Sequence, residues 1–143
     1  RRALAGGMGA TAVYDPRDGD PAGWLLEQTG GRGVDVAIET AWGGEAVGQA
    51  VQMARFAGRV VVVGIPRDDR VAFPAGASRR KGLTILMSRR MKHVYPRAIA
   101  LVERGVVDVR EFVTHRFPLE RASEPFDLVA SLQDGVVKAM IEF

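Results

Sequence analysis

With 143 residues, 47% hydrophobic and 26% charged, the chain is sized for one soluble globular domain, and no apolar run approaches the ~20 residues that a membrane helix needs. It contains no cysteine, which excludes disulfides, thiolate metal sites and cysteine nucleophiles and leaves the cytoplasm as the expected compartment. The net charge of +3 is carried by arginine, since only Lys81, Lys92 and Lys138 are lysines. The clusters Arg79-Arg80-Lys81 and Arg89-Arg90 are of the kind that nucleic-acid phosphates attract. Acidic residues are interspersed almost everywhere else, however, and aromatics are too few for a stacking platform, so no nucleic-acid partner is expected.

Residues 1 to 7 read as the end of a helix stopped by Gly6-Gly7, and because no helix-start signal precedes them the chain is expected to be a piece of a longer protein. Thr11 to Tyr14 is a short β-rich run closed by Asp15-Pro16. Asp20 caps a predicted helix with Pro21 in its first turn, running to the Gly30-Gly31 break. Val34 to Glu39 reads as a strand. A helix from about Gly44 to Phe56 follows, with Ala46, Val47, Ala50, Val51 and Ala54 at helical spacing. Val60 to Val63 is four consecutive valines between Gly58 and Gly64, the pattern of a strand covered on both faces. A looser stretch holds Pro66 and Pro74; then come a β-rich run at Leu83 to Met87 and a helix from about Tyr95 to Arg104. In the tail, Glu111 to Phe117 is predicted extended, Leu119 to Leu132 helical, and Val136 to Phe143 strand-like. Strand and helix alternate at short intervals, which predicts an α/β architecture of right-handed strand-helix-strand units in a parallel sheet.

In an open parallel sheet, ligands bind beyond the carboxyl ends of the strands. That rule selects Thr40 to Gly44, Gly64 to Pro66 and Ser88 to Arg90. Glycine at 64 would let a backbone approach a flat ligand, with the amide and carbonyl groups of Val63 and Ile65 available to a carboxamide; alternatively, Gly64 merely ends a strand. Gly30-Gly31-Arg32-Gly33 follows a helix and precedes a strand, the reverse of a phosphate-binding fingerprint, so it reads as a helix stop and turn. His93 and His115 lie in no metal-ligand spacing. Glu39 is a general base by position or, equally, an acid making a structural hydrogen bond. No self-sufficient catalytic site is present, so no catalytic residue and no metal ligand is assigned within the chain.

Several segments, in order, resemble the medium-chain dehydrogenase/reductase family, most closely its sorbitol, threonine and related zinc-type alcohol and polyol dehydrogenases. They are Met8-Gly9-Ala10-Thr11, the strand Gly33-Val34-Asp35-Val36-Ala37-Ile38-Glu39-Thr40, the strand and turn from Gly58 through the valines to Gly64-Ile65-Pro66, and the tail Val113-Thr114-His115-Arg116-Phe117-Pro118-Leu119-Glu120-Arg121-Ala122. The resemblance implies an incomplete doubly wound parallel (Rossmann) sheet over residues 1–112 and a tail, 113–143, that returns to the catalytic domain. It implies hydride transfer between an alcohol or polyol and NAD or NADP. By the same likeness Val63, Gly64 and Ile65 receive the nicotinamide, Ser88, Arg89 and Arg90 line the cofactor, Arg1 lies near the adenosine ribose, and Thr40 and Ala41 lie beside the cofactor. The family's zinc ligands, glycine-rich pyrophosphate loop and ribose-gripping acid would belong upstream of Arg1, so the isolated piece is expected to be inactive. A homodimer through the strand near 83–87 is also implied. The alternatives are a zinc-free quinone or enone reductase of the same superfamily, separable by upstream cysteine and histidine ligands, and a nucleotide-binding or interaction module without turnover.

Overall fold

The computed structural model describes residues 1–41, 43–66 and 69–143; Trp42, in the strand-end loop expected at 40–44, lies outside the described residues. In chain order the elements are α1 (Arg2–Gly7), α2 (Pro21–Gln28), β1 (Val34–Glu39), α3 (Ala46–Met53), β2 (Ala54–Val62), α4 (Ala75–Lys81), β3 (Thr84–Met87), α5 (Tyr95–Glu103), β4 (Val113–Pro118), α6 (Glu124–Ser131) and β5 (Lys138–Glu142). They fall into two compact units, Tyr14–Lys92 and the combination of Arg1–Val13 with His93–Phe143.

Local chemistry accounts for most boundaries in Tyr14–Lys92. The Asp20 carboxylate accepts from the amides of Ala22 and Gly23 at 3.0 Å each, capping α2 ahead of Pro21. Helix α3 stops at Met53, three residues short of its predicted end, because Ala54 turns to an extended backbone and pairs with Val34 in the ladder. Sheet pairing here overrides a helical apolar period. The ladder jumps from Val34↔Ala54 to Val36↔Arg59, so β2 bulges over residues 55–58. Ala57 takes a positive φ of 54° inside that bulge. Helix α4 falls within the stretch predicted to be loose: its only apolar side chains are alanines, so it shows no apolar period, and Gly82 ends it in the left-handed conformation. Thr11 to Tyr14 does not form the expected strand, having no ladder partner among the described residues.

The three strands of this unit are ordered β1-β2-β3, all parallel, with Glu39 opposite Val62 and Val62 opposite Met87. Helices α3 and α4 cover one face. Ala37, Val47, Ala50, Val51, Ala54, Val60 and Val62 form the core there, flanked by Val71, Phe73, Ala77, Leu83 and Ile85. The opposite face is less protected: Ile38 is 65% exposed and Val61 only half-buried. The expectation of valines covered on both faces is therefore corrected, and only Val60 and Val62 are fully enclosed.

Lys81, at the end of α4, donates from Nζ to the carbonyls of Val51 (3.2 Å), Gln52 (2.6 Å) and Ala54 (2.8 Å). The first two are acceptors that the last turn of α3 leaves unpaired and the third belongs to the first residue of β2, and a cation there also opposes the negative end of the helix. Burial lowers the Lys81 pKa, so desolvation works against the three contacts. Charge-assisted hydrogen bonds of this kind are worth about 1.5–3 kcal/mol, and Lys81→Met is expected to lower stability by about 2 kcal/mol, checked by urea unfolding.

At the other end of the sheet, exposed Asp35 is hydrogen-bonded by Arg32 and by Arg55, which together hold its carboxyl well below the usual range. A depressed folded pKa contributes stability above the unfolded value of about 3.9, and that contribution is lost as pH falls below it. Asp35→Asn is therefore expected to show a smaller fall in Tm between pH 7 and pH 3 than the wild type. The effect is small, because all three groups face solvent.

In the other unit β4 and β5 pair in parallel, His115 opposite Ala139 and Phe117 opposite Ile141, with α6 on the crossover between them. Val136 and Pro125 are buried. His115 reaches Thr114 Oγ1 at 2.9 Å and Asp134 Oδ2 at 3.1 Å. Thr114 Oγ1 accepts from the Val137 amide and donates to the Lys138 carbonyl, so this constellation ties the crossover to the strand.

Candidate functional site

The parallel register stops β1, β2 and β3 at one level, which sets their carboxyl-end segments side by side. The Glu39 carbonyl accepts from the amides of Val63 (2.8 Å) and Gly64 (3.1 Å), and the Val62 carbonyl accepts from the Ser88 amide (2.8 Å). Beyond these bonds opens a cleft of about 320 Å3 lined by Val63, Gly64, Ile65, Ser88, Arg89 and Arg90, with Pro66, Asp69 and Met87 at its border. Six expected site residues are thus brought together. Two exposed guanidinium residues against one carboxylate give the cleft a positive balance suited to an anionic ligand.

Two details differ from the sequence reading. The Val63 amide is committed to Glu39 and is not available to a ligand; of the groups expected to serve one, the Val63 carbonyl and both the amide and the carbonyl of Ile65 make no hydrogen bond among the described residues. Glycine at 64 is required by the protein itself: an added Cβ would lie 2.2 Å from the Ala41 carbonyl oxygen and 2.7 Å from both carboxylate oxygens of Glu39. The close approach it allows is between two strand-end segments.

Thr40 and Ala41 do not line this cleft. They border a hollow of about 410 Å3 along β1, with Val36, Ile38 and Gln49, and Ala41 also borders a smaller hollow with Glu39, Gly44 and Arg70. Their link to the cleft is through Gly64, which the Ala41 carbonyl touches. Arg1 belongs to the other unit, where its guanidinium donates to the Val136 carbonyl at 3.5 Å. Among the described residues no group of three or more His, Asp or Glu side chains is placed to hold a metal ion, and no helix is long and apolar enough to cross a membrane.

The residue whose part was least legible is Glu39. It is 5% exposed, and its Oε1 accepts from the Ala41 amide at 2.5 Å. The available signal was an acid directly after the apolar run Val36-Ala37-Ile38 at the end of a strand.

A parallel α/β sheet with a cationic cleft beyond its strand ends defines a domain of the open-sheet, ligand-binding class. Residues 1–104 match the family model of the zinc-binding dehydrogenases, and the chain belongs to that family. It is 32% identical over 118 residues to the L-arabinitol 4-dehydrogenase of Hypocrea jecorina, covering 82% of this chain and 31% of the relative. It is 32% identical over 139 residues to the L-threonine 3-dehydrogenase of Bacillus velezensis, covering 96% and 40%. A protein of Sinorhizobium meliloti 1021, described as a zinc-binding dehydrogenase and solved bound to NADP, superposes with a TM-score of 0.85 at 31% identity, over 99% of this chain and 42% of that one. The likeness to zinc-type alcohol and polyol dehydrogenases and the incomplete Rossmann sheet are thereby confirmed. The chain spans between about a third and two fifths of the length of these relatives.

Proposed function

We propose that the chain is the nicotinamide-dinucleotide-binding segment of an oxidoreductase that moves hydride between an alcohol or polyol and NAD or NADP. The observation that carries this reading is the cleft itself, where two parallel strand ends converge with exposed apolar walls and two arginines. Family membership, the polyol and threonine dehydrogenases among its relatives, and the NADP-bound neighbour support it. When bound, the nicotinamide supplies the hydride chemistry. The chain's residues bind and orient: the Ile65 amide and the Val63 carbonyl form a donor and acceptor pair of the kind a carboxamide takes. Val63, Ile65 and Met87 keep water off an apolar ring face, and Arg89 with Arg90 offsets negative charge. Thr40 and Ala41 flank the cofactor, and Arg1 serves the adenosine ribose.

In this reading the zinc, polarising the alcohol oxygen, takes its ligands from outside the chain. Residues 1–112 form a partial dinucleotide domain, residues 113–143 rejoin the catalytic domain, and the isolated chain does not turn over. The intact protein is a cytoplasmic homodimer through the strand near 83–87, which light scattering would test. The deciding experiment is fluorescence titration of the longer protein with NADH and NADPH, followed by an alcohol and polyol oxidation screen. Saturable binding of one dinucleotide with turnover in the longer protein is expected. Binding of neither would overturn the reading.

A further inference from the structure

We infer that Glu39 is a positioning residue, its buried carboxylate clasping the loop after β1 against the turn after β2 and so fixing the floor of the strand-end cleft. Three attachments converge on this one residue. Its Oε1 accepts from the Ala41 amide at 2.5 Å; its main-chain carbonyl accepts from the Val63 and Gly64 amides; and both carboxylate oxygens lie 2.7 Å from where a Cβ on Gly64 would stand. Val63 and Gly64 are cleft walls, and the carbonyl of Ala41, a residue that does not itself line the cleft, lies against Gly64. A shift of the carboxylate would therefore move the backbone on which the ligand rests.

The energetics favour a geometric part over a stabilising one. Glu39 is buried and makes no ion pair among the described residues; its carboxylate takes one hydrogen bond. A carboxylate removed from water with so little compensation is a poor way to hold a sheet together, and an apolar side chain of similar volume would serve stability as well or better. What leucine or methionine could not do is hold the Ala41 amide while leaving Gly64 room to sit against it. Binding sites lose affinity and rate when supporting groups drift by about an ångström, so the clasp deepens the dinucleotide-binding reading on which its ligand rests.

The test uses the full-length protein carrying Glu39→Leu or Glu39→Gln, with NADH and NADPH as probes. Glu39→Leu is expected to weaken binding at least about tenfold at temperatures well below Tm, whereas Glu39→Gln, whose amide oxygen still accepts from Ala41, stays within about threefold of wild type. A residue acting only through stability would move Tm in both variants and leave the Kd unchanged. Independently of any ligand, the Ala41 amide of the wild type is expected to exchange slowly with solvent deuterium, and in Glu39→Leu at the rate of an open loop while the β2 amides stay protected. Wild-type affinity in a folded Glu39→Leu, or free exchange at Ala41 in the wild type, would overturn the clasp. Should Glu39→Leu not fold, the wild-type exchange and the Gln affinity decide. If wild type binds neither dinucleotide, the functional reading fails, and the Ala41 exchange alone decides the clasp.

Discussion

Gly64→Ala is expected to destabilise the chain by about 3 kcal/mol and, in the full-length protein, to weaken dinucleotide binding sharply. The added methyl would stand 2.2 Å from a backbone oxygen and 2.7 Å from two carboxylate oxygens. The nearest is main chain, and the carboxylate is held in place by the Ala41 amide, so relief requires moving the 39–41 segment or the 63–65 turn. Overpacking of a closed site costs about 1–3 kcal/mol, occasionally more, and a methyl pushed against a buried carboxylate and a carbonyl belongs at the upper end. Urea unfolding measures the first effect and fluorescence titration the second. Gly48→Ala is the control, since its Cβ meets nothing within 4 Å and it lies inside α3. There the change is expected to stabilise by about 0.5–1 kcal/mol, because alanine loses less backbone entropy on becoming helical. A Gly64→Ala protein as stable as the control would mean that the two strand-end segments are not packed as described.

The second large effect belongs to the central strand. Val60 is 0% exposed, paired on both sides and enclosed by the α3 and α4 face. Removing two methyl groups there loses transfer energy and leaves a cavity bounded by strands that cannot collapse inward, so Val60→Ala is expected to cost about 2–3 kcal/mol. For a unit of this size each kcal/mol corresponds to about 4–8 °C, which places the Tm drop at roughly 10–20 °C. Val61→Ala, one residue on and pointing to the less protected face, is expected to cost under about 1 kcal/mol. Equal effects at the two positions, read by thermal melting, would show that the sheet is covered on both faces.

The contrast between Val60 and Val61 also marks how far the amino-acid pattern could be read. Apolar runs, glycine and proline stops and the Asp20 cap located β1, α2 and the centre of β2, because each depends on residues within a few positions. The end of α3 was misplaced because Ala54 and Phe56 continue an apolar period that the ladder with Val34 interrupts. Helix α4 had no apolar period to show, and the contact that anchors it, Lys81 on carbonyls at the end of α3 and the start of β2, spans some thirty residues. At the site, strand polarity was enough to select segments 64–66 and 88–90, since parallel strands deliver their ends to one edge, though the same rule also selected 40–44, of which Thr40 and Ala41 do not line the cleft. The commitment of the Val63 amide and the grip of Glu39 on Ala41 depend on register between neighbouring strands, which side-chain composition does not encode.

That register bears on how the molecule comes to be folded. Every strand pairing described here is parallel, so no strand can meet its neighbour through a tight reversal; each must wait for the intervening helix and loops to close first. The chain entropy spent on closure precedes the contacts that reward it, and assembly is accordingly slow compared with a hairpin-built sheet of equal size. During that interval the apolar rims of β1 and β3 stand open to other chains, and the speed at which α3 and α4 settle onto β2 governs how long they do so.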